Sequence, residues 1–150
     1  MLDRIFPGQF DNAYRGWRIA IWLFVPILIV ELGIGTNSVI NTRTVAMTAD
    51  GIPLDHYANG GAEAVVALFA LLGLSRLVIA LLCAVALIRY RTMLPLMYLA
   101  LLLLHLGARA LNTLHPFATT AAPGGLVTGI LLAALVAGFV MSLLGKARPA

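Results

Sequence analysis

The sequence predicts an all-α integral membrane protein: a four-helix bundle with both termini in the cytoplasm and a long outer loop between helices 1 and 2. Three observations predict it. Hydrophobic residues make up 61% of the 150 positions and charged residues only 11%, with a mean hydropathy of +0.98. A soluble domain carries roughly a quarter of its residues as charges. Four apolar windows, 17–35, 62–88, 93–111 and 126–144, each meet the ~17–25 residues that a bilayer crossing requires. The cations, finally, gather at alternating ends of these windows.

The first window follows Arg4, Arg15 and Arg18 and carries Pro26 and Glu31 within its apolar run. Its positive start and the small residues Gly33 and Gly35 also imitate a signal peptide. The run continues through Pro26 and holds Glu31, so a retained helix is the preferred reading. The second window is long enough to tilt or to project beyond the membrane. Arg89 and Arg91 fill the short link to the third, and Lys146 and Arg148 follow the fourth. These seven cations share one side, whereas the other side holds Arg43 with Asp50, Asp55 and Glu63. The positive-inside bias puts the seven in the cytoplasm. Trp17, Trp22 and Tyr90 fit an aromatic belt at that inner boundary.

The outer loop, 36–61, is the one long polar segment. Its Thr/Asn-rich start, Asp50-Gly51-Ile52-Pro53 and Asn59-Gly60-Gly61 all signal irregular chain. Val39, Ile40, Val45, Met47, Ile52 and Leu54 offer apolar anchors by which parts of it rest on the bundle, as a short interfacial helix or a hairpin. The second outer loop, from Asn112 to Gly125, contains His115-Pro116 and Pro123-Gly124-Gly125, again turn chemistry.

Charged and polar groups inside the spans carry the functional information, because placing them in hydrocarbon costs several kcal/mol unless they are paired or hydrated. Glu31, Arg76, His105 and Arg109 qualify, with Asn112 just beyond. At ~1.5 Å per residue they lie roughly 21, 18, 18 and 24 Å from the cytoplasmic ends of their helices. His105 and Arg109 are four apart and share a helix face, which Asn112 continues. The expectation is a polar layer in which Glu31 pairs with Arg76 or Arg109. Two arginines against one glutamate leave one positive charge, suited to a lipid phosphate, a carboxylate or a quinone carbonyl. The competing reading is structural: buried ion pairs often fix helix register without binding anything, and Arg109 lies near enough to the outer interface to snorkel.

Other chemistry finds little support. The pI of about 9.8 does not indicate nucleic acid, because the basic residues flank hydrophobic spans rather than line a polar face. Cys83 stands alone in an apolar run, without a disulfide, CxxC or zinc pattern. Asp50, Asp55, His56 and Glu63 suit a divalent ion by type, yet their context is that of a solvated loop and no metal is expected. His105 also invites a pigment or haem reading, but His56 and His115 sit in loops, against an intramembrane bis-histidine site. No HExxH, phosphate loop, GxSxG elbow or catalytic carboxylate pair occurs. In the fourth span Gly129, Ala133 and Ala137 form one row of small residues, and Ala134, Gly138 and Ser142 another. Such rows let helices approach closely, within a bundle or in a homodimer or larger complex.

Glu31-Leu32-Gly33-Ile34-Gly35-Thr36 resembles the first-helix membrane glutamate of the small multidrug resistance transporters, also four-helix proteins. The resemblance covers these six residues and implies proton-coupled export through Glu31 in a dimer. This chain departs from that pattern in its greater length, its long outer loop, and Arg76 and Arg109, whose charge opposes a cationic drug. The leading expectation is instead a non-enzymatic accessory or interaction subunit of a bacterial inner membrane. It would hold an anionic lipid or quinone-like molecule at the polar layer. A small transporter using Glu31 and His105 as proton-linked groups is the alternative, and a lipid-modifying enzyme using His56 and the loop acids a third.

Overall fold

A computed structural model describes residues 5–114 and 124–144, and among these it is helical, with no strands. The helices are α1 (Arg18–Ile40), α2 (Thr42–Thr48), α3 (Asn59–Arg89), α4 (Leu94–Leu114) and α5 (Gly124–Leu143), with single 3-10 turns at Leu54–His56 and Arg91–Met93. Four of them, α1, α3, α4 and α5, are long and apolar enough to cross a membrane. That matches the four predicted windows, with longer helices at several ends.

The extensions have a common cause. A backbone leaving hydrocarbon keeps its hydrogen bonds satisfied by staying helical. α1 therefore runs through Thr36 and Asn37 to Ile40, residues assigned to irregular chain from their composition. Asn59-Gly60-Gly61, expected to mark loop, instead opens α3, and α4 continues past Asn112 to Leu114. Pro26 sits inside α1 without ending it. It removes one N–H from the ladder, a loss that membrane helices tolerate.

One core joins the spans. Ala20, Phe24, Ile27 and Leu28 of α1 meet Ala80 and Cys83 of α3, Leu94, Tyr98, Leu101 and Leu102 of α4, and Leu131 and Leu135 of α5. Outside this seam the helices are sheathed in exposed apolar side chains, Leu71, Leu72, Leu81 and Leu82 on α3 among them. In water such a surface would aggregate; in lipid it is the solvated face. Helix hydroxyls return to their own turn: Ser75 donates to the Leu71 carbonyl at 2.9 Å and Thr128 to that of Gly124 at 2.8 Å.

The 31 residues of α3 span roughly 46 Å, well over the ~30 Å hydrocarbon thickness. The segment between α1 and α3 packs on its early turns. Ala46, Ile52 and Leu54 form a second small core against Val65, Val66 and Phe69. Of the anticipated apolar anchors, Val45, Ile52 and Leu54 are buried and Met47 half-buried, whereas Val39 and Ile40 are exposed. Gly51 takes a positive φ of 67° at the bend after α2, a conformation that suits glycine. The Gly124 N–H donates to the Ala49 carbonyl at 3.1 Å, tying the loop to the start of α5.

At the opposite end, the segment before α1 is fastened to the α3–α4 link. Thr92 Oγ1 donates to the Asp11 carbonyl at 2.9 Å and accepts from the Asp11 N–H at 3.2 Å. The Trp17 N–H reaches the Met141 carbonyl at 3.3 Å. The N-terminal segment, the Arg89–Arg91 link and the last turn of α5 thus share one end of the bundle.

Candidate functional site

Small residues set up the site. A Cβ on Gly35 of α1 would meet the Leu77 backbone of α3 at 3.0 Å, and one on Gly73 of α3 would meet Ser38 at 2.6 Å. Bare glycine surfaces let the two helix backbones approach. One turn inward from this contact, Glu31 on α1 faces Arg76 on α3.

The pair is closed by two bonds. Arg76 Nε donates to Glu31 Oε2 at 2.6 Å, and Arg76 Nη2 to Oε1 at 3.4 Å. Glu31 is wholly buried, whereas the Arg76 side chain keeps 26% of its surface exposed. His105 on α4 completes the group, with Nε2 at 2.8 Å from Arg76 Nη2 and 3.2 Å from Glu31 Oε1. Its other nitrogen, Nδ1, lies 2.9 Å from the Leu101 carbonyl one turn back. A carbonyl only accepts, so Nδ1 carries a proton. Three helices are thereby joined by one carboxylate, one guanidinium and one imidazole, and each hydrogen-bonding group finds a partner, as a low-dielectric site demands.

The predicted residues separate into two sets. Glu31, Arg76 and His105 come together. Arg109 and Asn112 are exposed on the C-terminal part of α4, where every residue from Leu106 to Leu114 is exposed. Among the described residues the ion pairs are Arg76–Glu31 and the exposed Arg43–Asp55, to which His105–Glu31 is added only when the ring is protonated, so Arg109 enters none of them. The glutamate chooses Arg76 because the α1–α3 approach delivers it, while Arg109 sits one turn beyond His105 along α4. The Arg76 charge also reaches Asp50 at the end of α2, partly offsetting the rise in pKa that burial imposes on that carboxyl.

The loop groups do not assemble. Asp55 is held by Arg43 at 3.5 Å, both well exposed, beside an open recess of about 300 Å³ lined by Tyr57 and Glu63. No group of three or more His, Cys, Asp or Glu side chains suited to a metal ion occurs among the described residues. His115, Lys146 and Arg148 lie outside the described residues. In α5, Gly138 and Ser142 are buried and Ala134 half-buried, so that row serves the bundle itself; Ala133 and Ala137 of the other row are exposed.

Two tyrosines went unremarked in the sequence. Tyr98, fully buried, donates to the Ala20 carbonyl at 2.7 Å and stands edge-on to Phe24 with ring centroids 4.8 Å apart. A phenol at the start of an apolar span needs an acceptor, and that is the available signal. Tyr14 lies before α1, beside a crevice of about 20 Å³ with Arg15, Thr92 and Ser142. Its buried hydroxyl finds no partner among the described residues, and burial pushes its pKa up to about 12.

Comparison with protein-family models, with curated proteins and with solved structures finds no match to this chain.

Proposed function

We propose that the protein is a non-enzymatic membrane subunit that retains an anionic amphiphile against Arg109 on the outer half of α4. The observation that carries this reading is the contrast between the two intramembrane arginines. Arg76 is neutralised by Glu31. Arg109 sits within an apolar span, exposed, and in no ion pair among the described residues. A guanidinium there favours a counter-ion, and phosphate suits its planar fork. Leu106, Leu111 and Leu114, all exposed nearby, are suited to acyl chains. The guest site thus moves outward from the Arg76/His105 layer, where Glu31 already neutralises the guanidinium.

Mass spectrometry of lipid retained through purification tests the reading. The native protein is expected to keep an anionic phospholipid that Arg109→Gln loses several-fold. Equal retention in the two proteins refutes it, and displacement by inorganic phosphate alone identifies a free-anion site instead.

The proposed setting is a bacterial inner membrane, with the end that holds Asp11, the Arg89–Arg91 link and the last turn of α5 in the cytoplasm. Cysteine labelling at positions 13 and 91 from either side tests this. Both should react from the cytoplasmic side, and labelling from opposite faces rules the arrangement out.

A second reading, proton-linked transport through Glu31 and His105, draws on the contact between those two side chains. Uptake into proteoliposomes driven by a pH gradient, and lost in Glu31→Gln, is its test.

A further inference from the structure

His105 Nε2 is within bonding distance of a pure donor and a pure acceptor at once, 2.8 Å from Arg76 Nη2 and 3.2 Å from Glu31 Oε1. A guanidinium can only donate and an ionised carboxylate can only accept. One ring nitrogen cannot serve both. With Nδ1–H committed to the Leu101 carbonyl, the neutral ring has its lone pair on Nε2. That lone pair accepts from Arg76, and the carboxylate oxygen is then a neighbour without a bond.

We propose that Nε2 of His105 is a proton-binding site whose occupancy decides whether Arg76 is held by the histidine or released from it. A hydronium ion gives its proton to the Nε2 lone pair, its O–H bond breaking to leave water, and the hydrogen bond from Arg76 Nη2 is lost. Nε2–H now opposes Arg76 Nη2, donor against donor, and turns its bond to Glu31 Oε1. Arg76 keeps Glu31 Oε2 through its Nε at 2.6 Å, while its Nη2 parts from the ring and yields the longer 3.4 Å bond at Oε1 to Nε2–H. The layer passes from neutral to a single positive charge.

The surroundings leave this exchange as the local response. From α1 the facing ionisable group is Glu31, and from α3 it is Arg76, with Cys83 buried in the same core. α4 itself contributes Tyr98, already bonded to Ala20, and Arg109 one turn outward. α5 carries no ionisable side chain between Gly124 and Leu143. Asp50, at the end of α2, feels the Arg76 charge and is the nearest outer-loop acid in play. Protonation therefore redistributes bonds among three side chains on three helices, a local change able to bias how those helices pack. The proposal rests on neither the lipid reading nor transport, since its test reads protons and hydrogen bonds directly.

The test is nitrogen NMR of the full chain in lipid nanodiscs, with His56→Gln and His115→Gln leaving His105 as the single histidine of the sequence. Histidine and arginine side chains are labelled, and Arg76→Lys assigns the Arg76 signals. At neutral pH the Nδ1-protonated neutral ring is expected. On acidification Nε2 gains a proton, and the Arg76 Nη signals shift with the same midpoint. A ring protonated on Nε2 at neutral pH overturns the proposal. So does a His105 that takes up no proton down to about pH 4, or one that titrates while the Arg76 signals stay fixed.

Discussion

Gly138 of α5 lies directly against the ring of Tyr98 on α4, so close that a Cβ at this glycine would fall on the phenol. The ring is pinned in turn by its hydroxyl on the Ala20 carbonyl of α1. A missing side chain on one helix thus makes room for the residue that joins two others. Gly138→Ala is expected to cost about 1–3 kcal/mol, the usual penalty of overpacking a core. Tyr98→Phe keeps the ring and loses one hydrogen bond, about 1 kcal/mol. Unfolding in mixed micelles measures both, and a Gly138→Ala protein as stable as the native one contradicts the packing described.

Glu31 and Arg76 should behave as a coupled pair. Glu31→Leu strands the guanidinium in the span, at about 3–5 kcal/mol for a broken buried pair. Glu31→Leu combined with Arg76→Leu leaves no stranded charge and should restore much of that loss. A double-mutant cycle with no coupling energy would show that the contact contributes nothing.

Gly33 and Gly35, two residues apart on α1, should respond oppositely. Gly33 has open space where a Cβ would go, whereas Gly35 abuts the α3 backbone. Gly33→Ala is expected within about 0.5 kcal/mol of the native protein, and Gly35→Ala to lose about 1–3 kcal/mol by forcing the helices apart. Similar effects at the two positions would place the α1–α3 contact elsewhere.

Tyr14 gives the end of the bundle that precedes α1 a pH dependence. Burial favours its neutral phenol and raises the pKa from 10.0 to about 12. The folded-state value exceeds the unfolded one, so the associated stability is fully present below pH 10.0 and fades as pH climbs toward about 12. Tyr14→Phe removes a hydroxyl that is unpartnered among the described residues. The variant should be at least as stable at neutral pH and should lose part of the alkaline destabilisation. A substantial loss of stability at neutral pH would mean that the hydroxyl bonds to something.

Much of the bundle was legible in the linear chain because hydrocarbon imposes a simple rule. A span must be about 20 apolar residues long and must satisfy its own backbone. Four windows met that rule, and four helices stand where they were read. Helix ends were less legible. Thr36, Asn37 and the Asn59-Gly60-Gly61 triplet look like loop by composition, yet near the membrane the backbone gains more from another helical turn than those side chains gain from a bend.

The sequence by itself determined which residues in the spans were anomalous, Glu31, Arg76, His105 and Arg109, since any ionisable group in an apolar run is visible without coordinates. Only the tertiary structure decided how they divide. Gly35 and Gly73 bring α1 against α3 and deliver Arg76 to Glu31, while α4 turns His105 inward and leaves Arg109 at the surface. Depth along a helix follows from counting residues, but partner choice depends on which backbones come within reach, and that is a property of the packed bundle.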